Sequence, residues 1–406
     1  MKEIEGGITC VPGIRATGIA SGIKSTGAKD LIVIVCDEIA ASAGTFTSNK
    51  VKSAPVLASM ERIKSGKAQA IVANSGNANA CTGEQGLQDA VRMTEITANE
   101  LKIDPELVLV ASTGKIGRPM PMDKVESGIK LAIPQLSYTG GHESAQAIMT
   151  TDTFSKEVAV EFDIQDKKAH IGGMVKGAGM INPNMATMLC FMTTDICIDQ
   201  SLLQEALKTA VDRSFNMVCV DGDMSTNDTV IILANGKAGN DKINQLTFRR
   251  TTEEQNDDYN IFLDALTYST TKLAKMIAKD GEGATKFIQL QIKGAKTEQD
   301  ARISAHAISR SPLLKCALFG EDPNWGRIMS SLGSSGIDMD QNAVDIWFDE
   351  LKVVENGITT GFKEESAKDV LKKSEYNITI DLKVGNAQAT LWTCDLSYDY
   401  VKINVD

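Results

Sequence analysis

Two short apolar runs, LIVIVCD at 31–37 and QAIVANSG at 69–76, constrain the possible folds of this chain more than any other feature. Each is closed by polar residues or glycine, the mark of a buried strand. Helical periodicity lies between and after them. Residues 86–101 carry Leu87, Ala90, Val91, Thr94, Thr97 and Leu101 at helical spacing. Asp123 and Glu126 predict a capped helix start leading through Val125 and Ile129. Residues 199–213 put Leu203, Ala206, Leu207, Ala210 and Val211 on one helical face. A longer helix is predicted from about Ile261 to Lys279, ended by Gly281 and Gly283.

Beyond that helix the pattern turns to strands: KFIQLQIKG (286–294), DIWFDELKVV (345–354), NITIDLKVG (377–385) and ATLWTCDLSYDYVKIN (389–404). The short turn Gly385-Asn386 predicts that the last two pair as a hairpin. Strands and helices mixed in both halves predict an α/β (α+β) architecture with layered sheets. At 406 residues the chain is long for one core, which favours two or three domains or one large two-part sandwich.

Composition excludes several classes. A net charge of −11 without any basic run argues against a nucleic-acid partner, because phosphate binding needs clustered Lys and Arg. No stretch approaches the ~18 apolar residues of a membrane span, and the N-terminal residues lack the apolar core of a signal peptide. The eight cysteines are scattered, mostly in apolar runs, as expected of reduced thiols in a cytoplasmic protein. No Cys-x-x-Cys pair exists and the three histidines are far apart in sequence, so no metal site is expected.

Four polar motifs have no evident place in a hydrophobic core. NSGNANA (74–80) follows a strand and reads, by itself, as an Asn/Gly turn. STGKIG (112–117) contains a Thr-Gly step that could present a hydroxyl and a backbone N–H to an oxyanion. DGDMSTNDT (221–229) superficially resembles a calcium loop, but Thr226 stands where glycine is needed and Ile232 where a bidentate Glu is needed. EDPNWGR (321–327) is a compact turn that offers Trp325 and Arg327 for packing or anion contact. Neither KGAGM nor GEGATK has the spacing of a phosphate loop, and no Gly-x-Ser-x-Gly elbow is present.

The segment KGAGMINPNMATMLCFMTTD (176–195) sets Thr187 behind a glycine-rich turn and ahead of an apolar run. Two readings stand side by side. It is a turn leading into a buried strand, or it hides an N-terminus, since Thr187 follows the small Ala186 whose carbonyl its hydroxyl could attack. A freed Thr187 would carry a base of pKa ~7.7 to 8.0 on the same residue as its nucleophile.

Taken in order, SGNANACTGEQG (75–86), STGKIGRPMPMDK (112–124), AIMTTDT (147–153), KGAGMINPNMATML (176–189), DGDMSTNDT (221–229), DGEGATKF (280–287), EDPNWGR (321–327) and CDLSYDYVKIN (394–404) closely resemble the ornithine acetyltransferase family of arginine biosynthesis. The resemblance spans nearly the whole chain. It implies that family's layered sandwich with an internal N-terminal-nucleophile threonine. It implies self-cleavage between Ala186 and Thr187 into an alpha chain, 1–186, and a beta chain, 187–406. Thr187 then matches the acyl-carrying nucleophile, Thr113 and Gly114 the oxyanion pair, and Thr150, Lys176, Thr187, Glu282 and Asn404 substrate-binding positions. The family's chains run a few residues past the position of Asp406 and end in a Thr or Ser that touches substrate, and this sequence has no match for it.

The activity so implied is ping-pong transfer of acetyl from N-acetyl-L-ornithine to L-glutamate. No bound cofactor is expected, and acetyl-CoA is a candidate second donor. The implied assembly is a heterotetramer of two alpha and two beta chains. Lys176 suits the alpha-carboxylate common to both substrates, and Glu282 the ornithine ammonium. An aminopeptidase or amidase with an N-terminal nucleophile would use the same Thr187 but pass the acyl group to water. A non-enzymatic amino-acid binder would stay uncut.

Overall fold

A computed structural model describes residues 1–182, 188–244 and 253–405, with side chains from 258 onward in the last stretch. The chain divides into two compact units, Met1–Gly177 with Thr187–Phe215 and Met224–Leu273, and Ala178–Ala186 with Asn216–Asp223 and Ala274–Asp406. These units are compact bodies of the folded chain, and their bounds differ from the expected division at 186/187.

The first unit is built on strands β1 (Lys2–Glu3), β2 (Ile14–Ile19), β3 (Leu31–Phe46), β4 (Lys67–Asn77), β5 (Val108–Lys115), β6 (Lys156–Ile164), β7 (Lys167–Lys176), β8 (Leu189–Thr194) and β10 (Thr229–Ala234). They form a mixed sheet ordered β1-β6-β7-β8-β10-β3-β4-β5, with β2 paired to β3. β4 runs parallel to β5 and β8 parallel to β10, the other pairs being antiparallel. The central runs Leu31–Cys36, Ile71–Ala73, Leu189–Met192 and Val230–Ala234 are apolar at every position because both faces are covered. Ile32, Ile34 and Cys36 of β3 enter one core with Ile71, Leu109, Phe191 and Ile231. Leu31, Val33 and Val35 enter the other with Val72, Val110, Met93 and Ile129. Each such fully buried side chain contributes roughly 1.5–3 kcal/mol relative to exposure. Met93 and Ile129 come from the helices Gly83–Leu101 and Met122–Ala132, which bear out the helical periodicity. The expected capping pair is corrected: the second helix begins after Pro121, with no side-chain cap.

The second unit holds β9 (Val218–Cys219), β11 (Phe287–Ala295), β12 (Asp345–Phe348), β13 (Leu351–Glu355), β14 (Ile358–Thr359), β15 (Glu375–Asp381) and β16 (Ala387–Cys394), ordered β14-β13-β12-β15-β11-β16-β9. Three strand expectations change here. The run 345–354 is two strands, reversed at Asp349, which adopts φ 49°. The strand expected to reach Asn404 ends at Cys394 and is followed by the helix Tyr398–Val405. Most consequentially, β15 and β16 do not pair, because β11 lies between them, parallel to β15 and antiparallel to β16. Spanning two strand spacings needs about 10 Å, more than a two-residue turn covers. The connection crosses the end of β11 instead, where Leu382 N–H donates to Lys293 O at 2.9 Å and Val384 N–H to Gly294 O at 2.8 Å.

Candidate active site

The parallel pair β4–β5 brings the first two polar motifs into register, Asn74 opposite Ser112, Ser75 opposite Thr113 and Gly76 opposite Gly114. The side chains of Asn74, Ser75 and Ser112 hold this edge. Ser112 Oγ donates to Asn74 Oδ1 at 2.6 Å, Asn74 Nδ2 to Asn77 O at 2.9 Å, and Ser75 Oγ to Ala147 O at 2.6 Å. Gly114 is required by geometry. Its φ is +131°, and a Cβ there would lie 2.3 Å from the carbonyl carbon of Gly76. Thr113 beside it is buried at 4 % exposure, and among the described residues its hydroxyl has no hydrogen-bond partner, while Gly114 is exposed.

Thr150 and Lys176 meet through a residue that sequence reasoning missed. Asp152 Oδ2 accepts the Thr150 N–H at 2.9 Å, and its Oδ1 accepts the Gly177 N–H at 2.7 Å and the Lys156 ammonium at 2.6 Å. Burial pushes the Asp152 carboxyl up, but the charges of Lys156 and Lys176 and these bonds outweigh it and hold it at about 2. Lys176 is itself buried at 3 % exposure. A third cation, Lys24, donates to Met149 O at 2.7 Å and Lys29 O at 2.9 Å. Thr150 is therefore tied through Asp152 to a buried network of charge that includes Lys156 and, electrostatically, Lys176 and Lys24.

The third motif is also structural support. Asn227 donates from Nδ2 to Ala78 O and to Ser112 O, both at 2.7 Å, and its Oδ1 accepts the Thr226 hydroxyl at 2.6 Å. Asp228 accepts the Met188 N–H through Oδ1 at 3.2 Å, while Oδ2 is buried with no hydrogen bond. Ala186 and Thr187, the expected scissile bond and nucleophile, lie outside the described residues.

In the second unit Glu282 and Asn404 come together, Asn404 Nδ2 donating to Glu282 Oε2 at 2.7 Å. Glu282 N–H donates to Ala178 O at 2.8 Å, and a Cβ on Gly179 would meet the Glu282 carboxyl at 2.3 Å, so glycine lets the KGAG segment pass there. Asp221 accepts the N–H groups of Met180 at 2.6 Å, Ile181 at 2.9 Å and Asp223 at 3.1 Å. Burial still raises its carboxyl above the ordinary range. The loop that superficially resembles a calcium site thus spends its first carboxylate on backbone. Among the described residues no His/Cys/Asp/Glu cluster could hold a metal ion, and no helix is long and apolar enough to cross a membrane.

A glycine-dependent strand edge beside a buried threonine, and a hub of buried charge, are what an α/β enzyme acting on small polar substrates needs. The chain belongs to the ArgJ family, which it matches over residues 15–406, the same ornithine acetyltransferase family that its motifs resemble. It is 51% identical over 408 residues to the arginine biosynthesis bifunctional protein ArgJ of Caldanaerobacter subterraneus subsp. tengcongensis, covering 100% of this chain and 99% of that one. The protein of the same name from Symbiobacterium thermophilum is 50% identical over 406 residues, with 100% and 99% covered. A crystal structure of the Bacillus halodurans protein aligns with TM-score 0.49 and 41% identity, over 53% of this chain and 97% of that chain.

Proposed function

We propose that the chain cuts itself between Ala186 and Thr187 and then uses Thr187 to carry acetyl from N-acetyl-L-ornithine to L-glutamate. In the first stage Thr187 Oγ adds to the Ala186 carbonyl, the Ala186–Thr187 C–N bond breaks to leave an ester and a free alpha-amine, and water hydrolyses the ester. In the second, Thr187 Oγ attacks the acetyl carbonyl while the new alpha-amine takes its proton. The proton passes to the departing ornithine nitrogen. The alpha-amine of glutamate then attacks the acetyl ester, and Thr187 Oγ recovers its proton.

The observation that carries this reading is family membership across residues 15–406, joined to full-length likeness to relatives named as bifunctional proteins of arginine biosynthesis. The remaining roles follow from chemistry. Thr113 hydroxyl and Gly114 N–H stabilise the oxyanion. Lys176, with Thr150, takes the alpha-carboxylate of either substrate, and Glu282, steadied by Asn404, takes the ornithine ammonium. No bound cofactor takes part. Acetyl-CoA serves as a second donor to glutamate, in keeping with the bifunctional naming of the relatives. The working form is a cytoplasmic assembly of two alpha and two beta chains, checked by light scattering of the purified protein.

The test is the Thr187→Ala variant, which should stay one chain on a denaturing gel and transfer no acetyl to glutamate. Two normal fragments, or residual transfer at the wild-type rate, would remove Thr187 from both steps.

A further inference from the structure

The peptide bond that precedes Thr150 is held at both ends. Its carbonyl, Met149 O, accepts the Lys24 ammonium at 2.7 Å, and its N–H donates to Asp152 Oδ2 at 2.9 Å. Thr150 itself is exposed, and among the described residues its hydroxyl has no hydrogen-bond partner. Lys24 is held in turn. Buried Asp30 accepts the Lys24 N–H at 2.9 Å and the Ser21 N–H and hydroxyl at 2.6 and 2.7 Å, while Lys29 O accepts the Lys24 ammonium at 2.9 Å. Asp30 O accepts the Ser75 N–H at 2.8 Å, and Ser75 Oγ donates to Ala147 O at 2.6 Å, two residues before Met149. These bonds close a ring through Lys24, Asp30, Ser75 and the segment 147–149. Ser75 lies opposite Thr113 in the β4–β5 register, and its neighbour Gly76 lies opposite Gly114. The Lys24 stem runs beside that edge, since a Cβ added to Gly76 would stand 3.1 Å from Lys24 Cγ.

We infer that Lys24 is a positioning residue for the substrate carboxylate: by fixing the peptide before Thr150 it sets the Thr150 hydroxyl at a constant offset from the strand edge that carries Thr113 and Gly114. The inference rests on Thr150 and Lys176 taking that carboxylate. A peptide plane anchored at one end can still rotate. Anchored at its carbonyl by an ammonium and at its N–H by a carboxylate, it turns only by breaking a charge-assisted hydrogen bond, which is the stronger kind. A binding group held in this way by supporting hydrogen bonds keeps the geometry that recognition needs. Without Lys24, Asp152 alone would hold this peptide, and its carbonyl would lose its anchor to the ring. The carboxylate is common to N-acetyl-L-ornithine and L-glutamate, so both substrates should feel that loss alike.

The experiment measures kcat and KM for both substrates in Lys24→Met, Thr150→Ala and the double variant. Positioning predicts that Lys24→Met raises KM for N-acetyl-L-ornithine and for L-glutamate by ~10-fold each, with kcat changed less than ~3-fold. In the Thr150→Ala background the same substitution should raise KM less than ~3-fold, because the hydroxyl it positions is gone. Wild-type KM in Lys24→Met overturns the inference, as does the full ~10-fold rise in both backgrounds or a loss confined to kcat. If Lys24→Met does not fold, Lys24→Gln replaces it, since its amide keeps a polar end but stops one bond short of Met149 O, and wild-type KM there is equally fatal. Failure of the carboxylate reading itself would appear separately, as wild-type KM for both substrates in Thr150→Ala.

Discussion

Lys156 Nζ stands 2.6 Å from Asp152 Oδ1 with both side chains wholly excluded from water. A buried pair of this kind adds little when intact but strongly penalises removal of one partner, by about 3–5 kcal/mol. Lys156→Met should therefore lower the midpoint of urea unfolding markedly at pH 7. The same pair sets an acid limit. The folded Asp152 carboxyl titrates at about 2, below its ordinary value of 3.8. Its stabilisation, about 2 kcal/mol, is present above pH ~4 and lost as pH falls toward 2. Asp152→Asn should flatten that part of the stability profile, and an unchanged acid slope in the variant would exclude Asp152 as the cause.

Asp228 should act in the opposite direction. Its folded carboxyl is raised by burial, so the folded chain holds a proton that the unfolded chain has released. Stability then falls as pH rises above the ordinary carboxylate range, by up to about 1.4 kcal/mol per pH unit, until the folded group itself ionises. Asp228→Asn should lose this slope in urea titrations carried upward from pH 4, where the wild-type chain keeps it until its own buried carboxyl ionises.

The Thr113–Gly114 step allows a direct test of oxyanion stabilisation. Thr113→Ala should lower kcat by roughly 10²–10³ while KM changes little, since the oxyanion exists only in the transition state. Gly114→Ala should be worse, because its Cβ would sit 2.3 Å from Gly76 backbone carbon at a φ of +131°. Steady-state kinetics and thermal unfolding of the two variants separate lost catalysis from lost folding.

Lys176 and Glu282 should differ in substrate dependence. Lys176→Met should raise KM for both N-acetyl-L-ornithine and L-glutamate, each by about 10-fold or more, because the carboxylate is common to both. Glu282→Gln should raise KM for the ornithine donor far more than for glutamate, which carries no side-chain ammonium. Equal effects of Glu282→Gln on both substrates would place its role elsewhere.

The core strands were legible because double-sided burial leaves an uninterrupted apolar run: LIVIVC alternates between two cores, and both demand hydrophobic residues. The supposed hairpin at Gly385 was misread because a turn signal is local. Nothing within 377–394 reports that β11, contributed by residues 287–295, inserts between the two strands. The C-terminal helix Tyr398–Val405 was read as strand for a related reason, since SYDYVKIN offers alternating apolar residues and none of the helix is buried. For the site, the motifs marked its loops and identified Glu282 and Asn404, which touch. Asp152, Asn227 and Asp228 lay inside quoted motifs without being singled out. Each makes a hydrogen bond to a backbone group distant in sequence, Gly177 for Asp152, Ser112 for Asn227 and Met188 for Asp228, and residue type alone does not encode such partners.

The most direct measurement is intact mass of the purified protein before and after brief incubation with N-acetyl-L-ornithine in the absence of glutamate. The account predicts two polypeptides divided at Ala186–Thr187, with one acetyl group gained only by the fragment that begins at Thr187 and removed on adding glutamate. A single uncut chain that still transfers acetyl, or an acetyl group on any other residue, would contradict it.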